Sequence, residues 1–341
     1  MSAALLHEQG YRVVGEHMKL VHLDGVDHGC CGPRAESDAA AVAEIAGFDF
    51  RVVDMSATFE RTVLSDFFDE HRQGRTPNPC IRCNERIKFG AFLDRAGRLG
   101  FDFVATGHYV RTWRDAEDRW HLGRGLDPSK DQSYVLHVLG QAQLARSLFP
   151  VGAQTKAETR AHAERLGLPV AGKPDSQEVC FVPGADHGSF LAERASDLVR
   201  AGTVVDTAGH PMADHDGTFR FTVGQRRGLG VSTGSPLYVT DIDATSNRVV
   251  VGPGELLARR GLRADRVTWV AGSPPAGGPF EANVKIRYRG EEVPSVIEPV
   301  DANGAGVEFR TPQRAIAPGQ SVVFYLGDEV LGGGRIAEAL R

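Results

Sequence analysis

The sequence changes texture near Gly184, and that break limits the fold more than any other feature in it. Before it, short apolar runs alternate with amphipathic stretches. Residues 3–9 read as a helix, 11–15 as a strand, 37–45 as an alanine-rich helix and 50–53 as a second strand. Ile87, Phe92, Leu93 and Leu99 fall on roughly one face of a helix over 86–99. Residues 101–105 read as a strand running into the small polar loop Thr106-Gly107-His108-Tyr109, and Thr155 caps a further helix through Leu166. Repeated strand–helix units predict a parallel sheet covered on both faces. Ligands of such sheets bind beyond the carboxyl ends of the strands, where 106–109 would lie.

After the break, β-type runs at 219–223, 237–242, 248–251, 266–270, 281–287, 307–310 and 321–326 are separated by Gly, Pro, Asp and Asn. Strands without long helices between them predict small barrels or sandwiches. The Gly- and Pro-rich stretch 272–279 reads as a hinge or loop.

A chain of 341 residues holds two or three modest domains, each with its own core. No apolar run approaches the length of a bilayer span. The first ten residues lack the basic and apolar regions of an export signal, so the expectation is a cytoplasmic globular protein. The formal charge of −5 excludes a uniformly basic nucleic-acid binder. Any nucleic-acid surface must therefore be local.

Five cysteines are an odd number for a disulfide framework. They fall at Cys30 with Cys31, at Cys80 with Cys83, and at Cys180. The first pair reads equally well as small buried apolar side chains. The segment from Thr76 to Phe89, TPNPCIRCNERIKF, is the densest in chemistry. Its two prolines fix an extended entry and predict Cys83 at or just before a helix N-terminus. There, unpaired N–H groups and the helix dipole favour a nucleophilic thiolate. Arg82 and Arg86 would add positive charge. A Cys-x-x-Cys pair alone is also half of a zinc site or a redox dithiol, although no second pair completes the zinc set. Cys180 stands in DSQEVCF, and Phe181 and Val182 suggest a strand edge or a partly buried loop.

The stretches 130–134 (KDQSY) and 224–230 (GQRRGLG) are polar and can present side chains to a phosphate backbone or a base edge, or form solvated turns. The same choice holds for 285–289 (KIRYR), where alternating basic residues flank a tyrosine.

Taken in order, TPNPxxxCNxxIKF, ATGHY, KDQSY, DSQxxCF, GQRRGLG, RY and APGQxxVFY resemble the bacterial tRNA-specific 2-thiouridylases, the MnmA family, over essentially the whole sequence. The resemblance implies an α/β N-terminal domain of the adenine nucleotide alpha hydrolase type with a parallel sheet, then two small β-rich, barrel-like domains. The corresponding boundaries are 1–186, 187–255 and 256–341. It implies ATP-dependent replacement of the C2 oxygen of the wobble uridine by sulfur, with Mg²⁺ offsetting phosphate charge. Sulfur would come from a sulfur-carrier or cysteine desulfurase relay. Cys180 would carry it as a persulfide, and Cys83 would be the nucleophile that closes a disulfide with Cys180. Asn78, Pro79 and Cys80 would lie against the target base, extruded from its stack. Met18 and Gly107 would contact the nucleotide. His108, Lys130, Asp131, Gln132, Arg287, Tyr288 and Gln320 would contact tRNA. A monomer is the default, with no membrane partner.

Two departures qualify the resemblance. Many family members carry Asp where this chain has Cys80, so Cys80, Cys83 and Cys180 are candidate ligands of a [4Fe-4S] cluster with one open iron. The family's opening strand and Ser-Gly-Gly-Val-Asp-Ser loop, whose N–H groups cradle ATP phosphates, have no counterpart. Asp24-Gly25-Val26-Asp27 follows the next strand and lacks the glycine pair. The expectation is a start site placed too far downstream, with poor adenylation by the chain as given. The alternative is a catalytically impaired tRNA-binding protein of the same family. A different ATP-pyrophosphatase, such as a 4-thiouridine synthetase or an amidating ligase, fits the Cys83 and Cys180 contexts less well.

Overall fold

The computed structural model describes residues 1–21, 32–173, 179–182, 186–275 and 277–341. Cys30, Cys31, the stretch 24–27 and residues 176–178 lie outside these.

The N-terminal half keeps its strand–helix alternation. Helix Ser2–Glu8 precedes β1 (Val14–Lys19), and helix Pro33–Ala46, with proline in its first turn, precedes β2 (Asp49–Asp54). β1 starts later than the sequence suggests. Gly10 adopts φ +87°, and the Gly10 and Tyr11 N–H groups still bond to His7 and Leu6 carbonyls, so these residues close the helix. β1 and β2 pair in parallel. A second parallel pair joins β3 (Val104–Ala105) to β6 (Ser147–Leu148). Among the described residues of the N-terminal half, the parallel pairing consists of these two separate pairs. The expected strand 101–105 is shortened because the Phe101 N–H caps the preceding helix at Ala96. Thr155 does cap helix Lys156–Arg165. Its hydroxyl accepts from Glu158 N while Glu158 accepts from Thr155 N at 2.7 Å.

Two helical runs are interrupted by wide π turns. One comprises Ser56–Phe59, Glu60–Leu64 and Ser65–Arg72. The other comprises Pro79–Cys83, Asn84–Ala91 and Phe92–Arg98, with the π segments second in each. They pack on one apolar cluster containing Phe59, Val63, Phe67, Cys83 and Ile87.

A hairpin of β4 (Val110–Arg114) and β5 (Trp120–Arg124) leaves the N-terminal half. The middle region forms a four-stranded sheet from β7 (Gly202–Val205), β8 (Pro211–His215), β9 (Tyr238–Asp243) and β10 (Arg248–Gly252), in the order β8-β7-β10-β9. The expected strand at 219–223 is absent. Thr218–Arg220 forms a 3₁₀ turn that sends Phe219 into the Cys83 cluster and Phe221 into the core of the middle sheet. Two buried aromatics two residues apart imitate a strand's alternation, but here they bridge two cores.

The C-terminal strands are β11 (Ala258–Trp269), β12 (Phe280–Lys285), β13 (Val293–Asp301), β14 (Gly304–Arg314), β15 (Ser321–Leu326) and β16 (Glu329–Leu340). They run in the order β11-β14-β13-β12-β15-β16, and pairing of β11 with β16 closes a barrel. Leu262, Val284, Ile297, Val307, Val322, Phe324 and Ile336 fill it. At the closure a Cβ on Gly332 would stand 2.4 Å from the Thr268 carbonyl oxygen, so the strands can only meet there without a side chain. β5 pairs with β16 through Leu122 and Val330, so the hairpin of the N-terminal half extends the barrel sheet.

Candidate functional site

The three regions surround a cleft of about 1970 Å³. Its N-terminal wall is the helix Pro79–Cys83, whose start is set by Asn78. The Asn78 side-chain oxygen accepts from Cys80 N at 3.1 Å and from Ile81 N at 3.4 Å. Cys80 therefore occupies the first turn, exposed on the cleft, and Cys83 ends this segment, buried at 7% exposure. This corrects the sequence expectation that Cys83 stands at the helix N-terminus. Asn78 begins the helix ahead of both cysteines, so the dipole argument transfers to Cys80. The positive charge expected from Arg82 and Arg86 is also offset: both pair with Glu85, and Arg82 lies 3.7 Å from Asp66.

Cys180 is half-buried and packs against the cluster that contains Cys83. Its neighbour Phe181 anchors the segment, edge-on to Phe59 and Phe67 with ring centroids at 5.5 Å in both pairs. The local backbone is a turn, not a strand edge. Among the described residues, no group of three or more His, Cys, Asp or Glu side chains is placed to hold a metal ion. The donor set for an iron–sulfur cluster on Cys80, Cys83 and Cys180 is thus not assembled.

Asn78, Pro79, Cys80, Cys83, Gly107, His108, Lys130, Asp131, Gln132, Cys180, Tyr288 and Gln320 all line the cleft. Met18 and Arg287 do not. Met18 lies near the end of β1, against the Cys83 cluster, and Arg287 donates to the Arg314 carbonyl at 2.8 Å.

Several of these side chains are engaged within the fold. His108 is buried and shares a 2.8 Å hydrogen bond between its Nδ1 and Thr106 Oγ1. Burial, aided by the Lys88 charge, holds its pKa well below the ordinary value, so it is neutral. Asp131 accepts from Gly125 N and Ser133 N at 3.1 Å and from Ser133 Oγ at 2.8 Å. Gln132 Oε1 accepts from Tyr109 N at 3.0 Å. Tyr288 Oη donates to the Asp131 carbonyl at 3.3 Å, tying the barrel to the 130–134 loop.

Lys88, Arg124, Lys156 and Arg220 also line the cleft and were not singled out in the sequence as site residues, and they join Lys285 and Arg289 of the KIRYR stretch there. Scattered single cations carry no spacing signal. Only the fold gathers them, which supplies a local basic surface on a chain of net charge −5. Burial, with a smaller contribution from Arg124, lowers the Lys285 pKa against the opposing pull of Asp131 and Glu292.

The chain matches three family models in succession: a tRNA methyl transferase HUP domain over residues 1–184, a tRNA methyl transferase PRC-barrel domain over 188–253 and an aminomethyltransferase β-barrel domain over 259–336. It is 48% identical to a tRNA-specific 2-thiouridylase MnmA of Geobacter metallireducens, covering 100% of this chain and 94% of the relative. Proteins of the same description from Heliobacterium modesticaldum and Roseiflexus castenholzii are 47% and 44% identical, with 90% and 95% of each relative covered. With the ordered motifs gathered around one cleft and similarity of this extent, the chain belongs to the tRNA-specific 2-thiouridylase family.

Proposed function

We propose that this protein catalyses ATP-dependent 2-thiolation of the wobble uridine of tRNA. The observation that carries the reading is the packing of Cys83 and Cys180 against one apolar cluster at the side of a cationic cleft.

ATP, with the Mg²⁺ that accompanies its phosphates, reacts at the uracil C2 oxygen. Pyrophosphate leaves and the oxygen becomes part of a leaving group. Gly107 and Met18 lie toward the carboxyl ends of β3 and β1, where a parallel α/β domain receives a nucleotide. A persulfide delivered to Cys180 by a relay protein then attacks C2 through its terminal sulfur, and AMP departs with the oxygen. The Cys83 thiolate attacks Cys180 Sγ and breaks the S–S bond. Sulfur remains on the base and a Cys83–Cys180 disulfide forms, which a dithiol reductant must reopen before the next turnover. Asn78, Pro79 and Cys80 border the base. His108, Lys130, Asp131, Gln132, Arg287, Tyr288 and Gln320 belong to the surface that receives tRNA, and the cleft cations meet its phosphates.

The test is nucleoside mass analysis of an unmodified tRNA after incubation with ATP, Mg²⁺ and a sulfur donor. The wild-type protein yields 2-thiouridine. Cys83→Ser and Cys180→Ser yield none while still retarding tRNA in a gel. Thiolation by both variants at the wild-type rate, or a methylated product instead, contradicts the proposal.

A further inference from the structure

The barrel carries a turn, Ala317-Pro318-Gly319-Gln320, that reaches away from its own sheet to the N-terminal half. We propose that this turn is a clamp positioning the helix of Cys80 and Cys83, and that Gln320 acts in it as a positioning residue for sulfur transfer. The proposal rests on the thiouridylase reading.

Both backbone groups of Thr76 are held by this one turn. Thr76 N donates to the Pro318 carbonyl at 2.8 Å, and Gln320 Nε2 donates to the Thr76 carbonyl at 2.8 Å. The approach is too close for any side chain between them. Gly319 has φ +93°, and a Cβ there would stand 2.8 Å from Thr76 N and 2.9 Å from Thr76 C. The turn is fixed to the barrel, since Gly319 N donates to the Ile336 carbonyl at 2.9 Å and Ile336 N to the Gln320 carbonyl at 2.8 Å. The middle region joins at the same residue, with 3.1 Å between Thr76 Oγ1 and Thr222 Oγ1.

A second tether lies one residue upstream. Arg75 bonds Glu70 at 2.7 and 2.8 Å, and Glu70, 2% exposed, also pairs with Arg335 of β16. Downstream, Pro77 and Pro79 fix their own φ angles and keep Thr76 and Asn78 out of the helical region. Asn78 then caps the helix. Few soft torsions therefore separate Thr76 from Cys80, and a shift at the clamp is passed to the thiols rather than absorbed. Misplacement of a reacting group by about 1 Å costs on the order of 100-fold in rate.

The test compares wild type with Gln320→Met, which keeps length and packing but removes the donor, and with Gly319→Ala, which forces the turn from Thr76. Two readouts are taken on the full chain. One is single-turnover thiolation at saturating tRNA beside the tRNA Kd. The other is the rate of iodoacetamide labelling of Cys80 without tRNA. Trypsin cleavage at Arg75, Arg82 and Arg86 places Cys80 and Cys83 in separate peptides. The clamp predicts that Gln320→Met slows thiolation at saturating tRNA about 10-fold, whatever the change in Kd, and changes Cys80 labelling without tRNA by about three-fold or more. Gly319→Ala should change labelling in the same direction. A weakened Kd with an unchanged rate assigns Gln320 to tRNA contact and overturns the proposal, as does unchanged labelling in Gln320→Met. If the wild type does not thiolate, the thiouridylase reading fails, while Cys80 labelling in Gln320→Met still decides the clamp.

Discussion

Asp131 illustrates how much of a side chain's role depends on its neighbours rather than on its motif. Its carboxylate gathers two backbone N–H groups and the Ser133 hydroxyl, and Arg124 lies 3.4 Å away. Arg124 in turn pairs with Glu292 of the barrel region and stacks 4.0 Å over the Tyr325 ring. Asp131→Ala is expected to cost about 2–3 kcal/mol, because it strands buried donors as well as removing an acceptor. Thermal melting should show it; an unchanged melting temperature would leave Asp131 with a purely tRNA-facing role. His71 gives a pH dependence. Burial pushes its pKa down to about 4, against the partial opposition of its 2.7 Å hydrogen bond to the Phe67 carbonyl. The folded group stays neutral while the unfolded one, with its pKa near 6.5, takes up a proton. Stability at this site is therefore complete above about pH 6.5 and falls by up to about 1.4 kcal/mol per pH unit toward pH 4. His71→Leu should flatten that slope in denaturant titrations, and an equally steep slope would reject the assignment. The cysteines themselves were legible as residues, because thiols beside proline and arginine stand out in any sequence. Which of Cys80 and Cys83 is exposed and which buried was not, since that depends on where Asn78 starts the helix.

At the scale of elements, the capped helices were the readable ones. Thr155 and Glu158 form their reciprocal pair three residues apart, a purely local event. The π segments were not readable, because a wide turn shifts the apolar stripe off the 3.6-residue period without any distinctive residue to announce it. The β4–β5 hairpin was missed for another reason: β5 gains its second pairing partner from β16, at the far end of the chain. The cap on the cysteine helix can be tested directly. Asn78→Ala should expose the Cys80 and Ile81 amides to faster hydrogen exchange and cost about 1 kcal/mol, whereas Asn78→Asp should restore protection. Exchange rates that ignore both substitutions would remove Asn78 from its capping role.

Across the whole molecule, the order of an α/β part followed by β-rich parts was legible, because strand–helix alternation and strand-rich patterning are statistical properties of long stretches. How the parts meet was hidden. Thr76 touches all three regions, and its partners Thr222 and Gln320 are distant in sequence. The hairpin contact contains a titrating group at its centre. His121 is hydrogen-bonded to Glu329 at 2.6 Å and to Asp115 at 3.0 Å. Burial lowers its pKa, but the two carboxylates outweigh burial and the net shift is upward. The protonated form therefore stabilises the hairpin's attachment to the barrel fully below about pH 6.5, and that contribution is lost as pH rises through the folded pKa. Hydrogen exchange at Leu122 and Val330 should accelerate with pH beyond the intrinsic dependence in wild type, and His121→Gln should abolish the excess. Equal behaviour of the two proteins would exclude His121 as the titrating group.

On the proposed mechanism, sulfur passes through Cys180 to the base and leaves Cys83 joined to Cys180. The direct measurement is a single turnover with protein carrying a ³⁵S-labelled persulfide, mixed with tRNA, ATP and Mg²⁺ and followed by peptide and nucleoside analysis. If sulfur takes this route, label reaches the wobble uridine only with ATP, and a peptide pair linked through Cys83 and Cys180 appears in the same proportion. Label transferred without that linkage, or transferred equally well by Cys83→Ser, would contradict it.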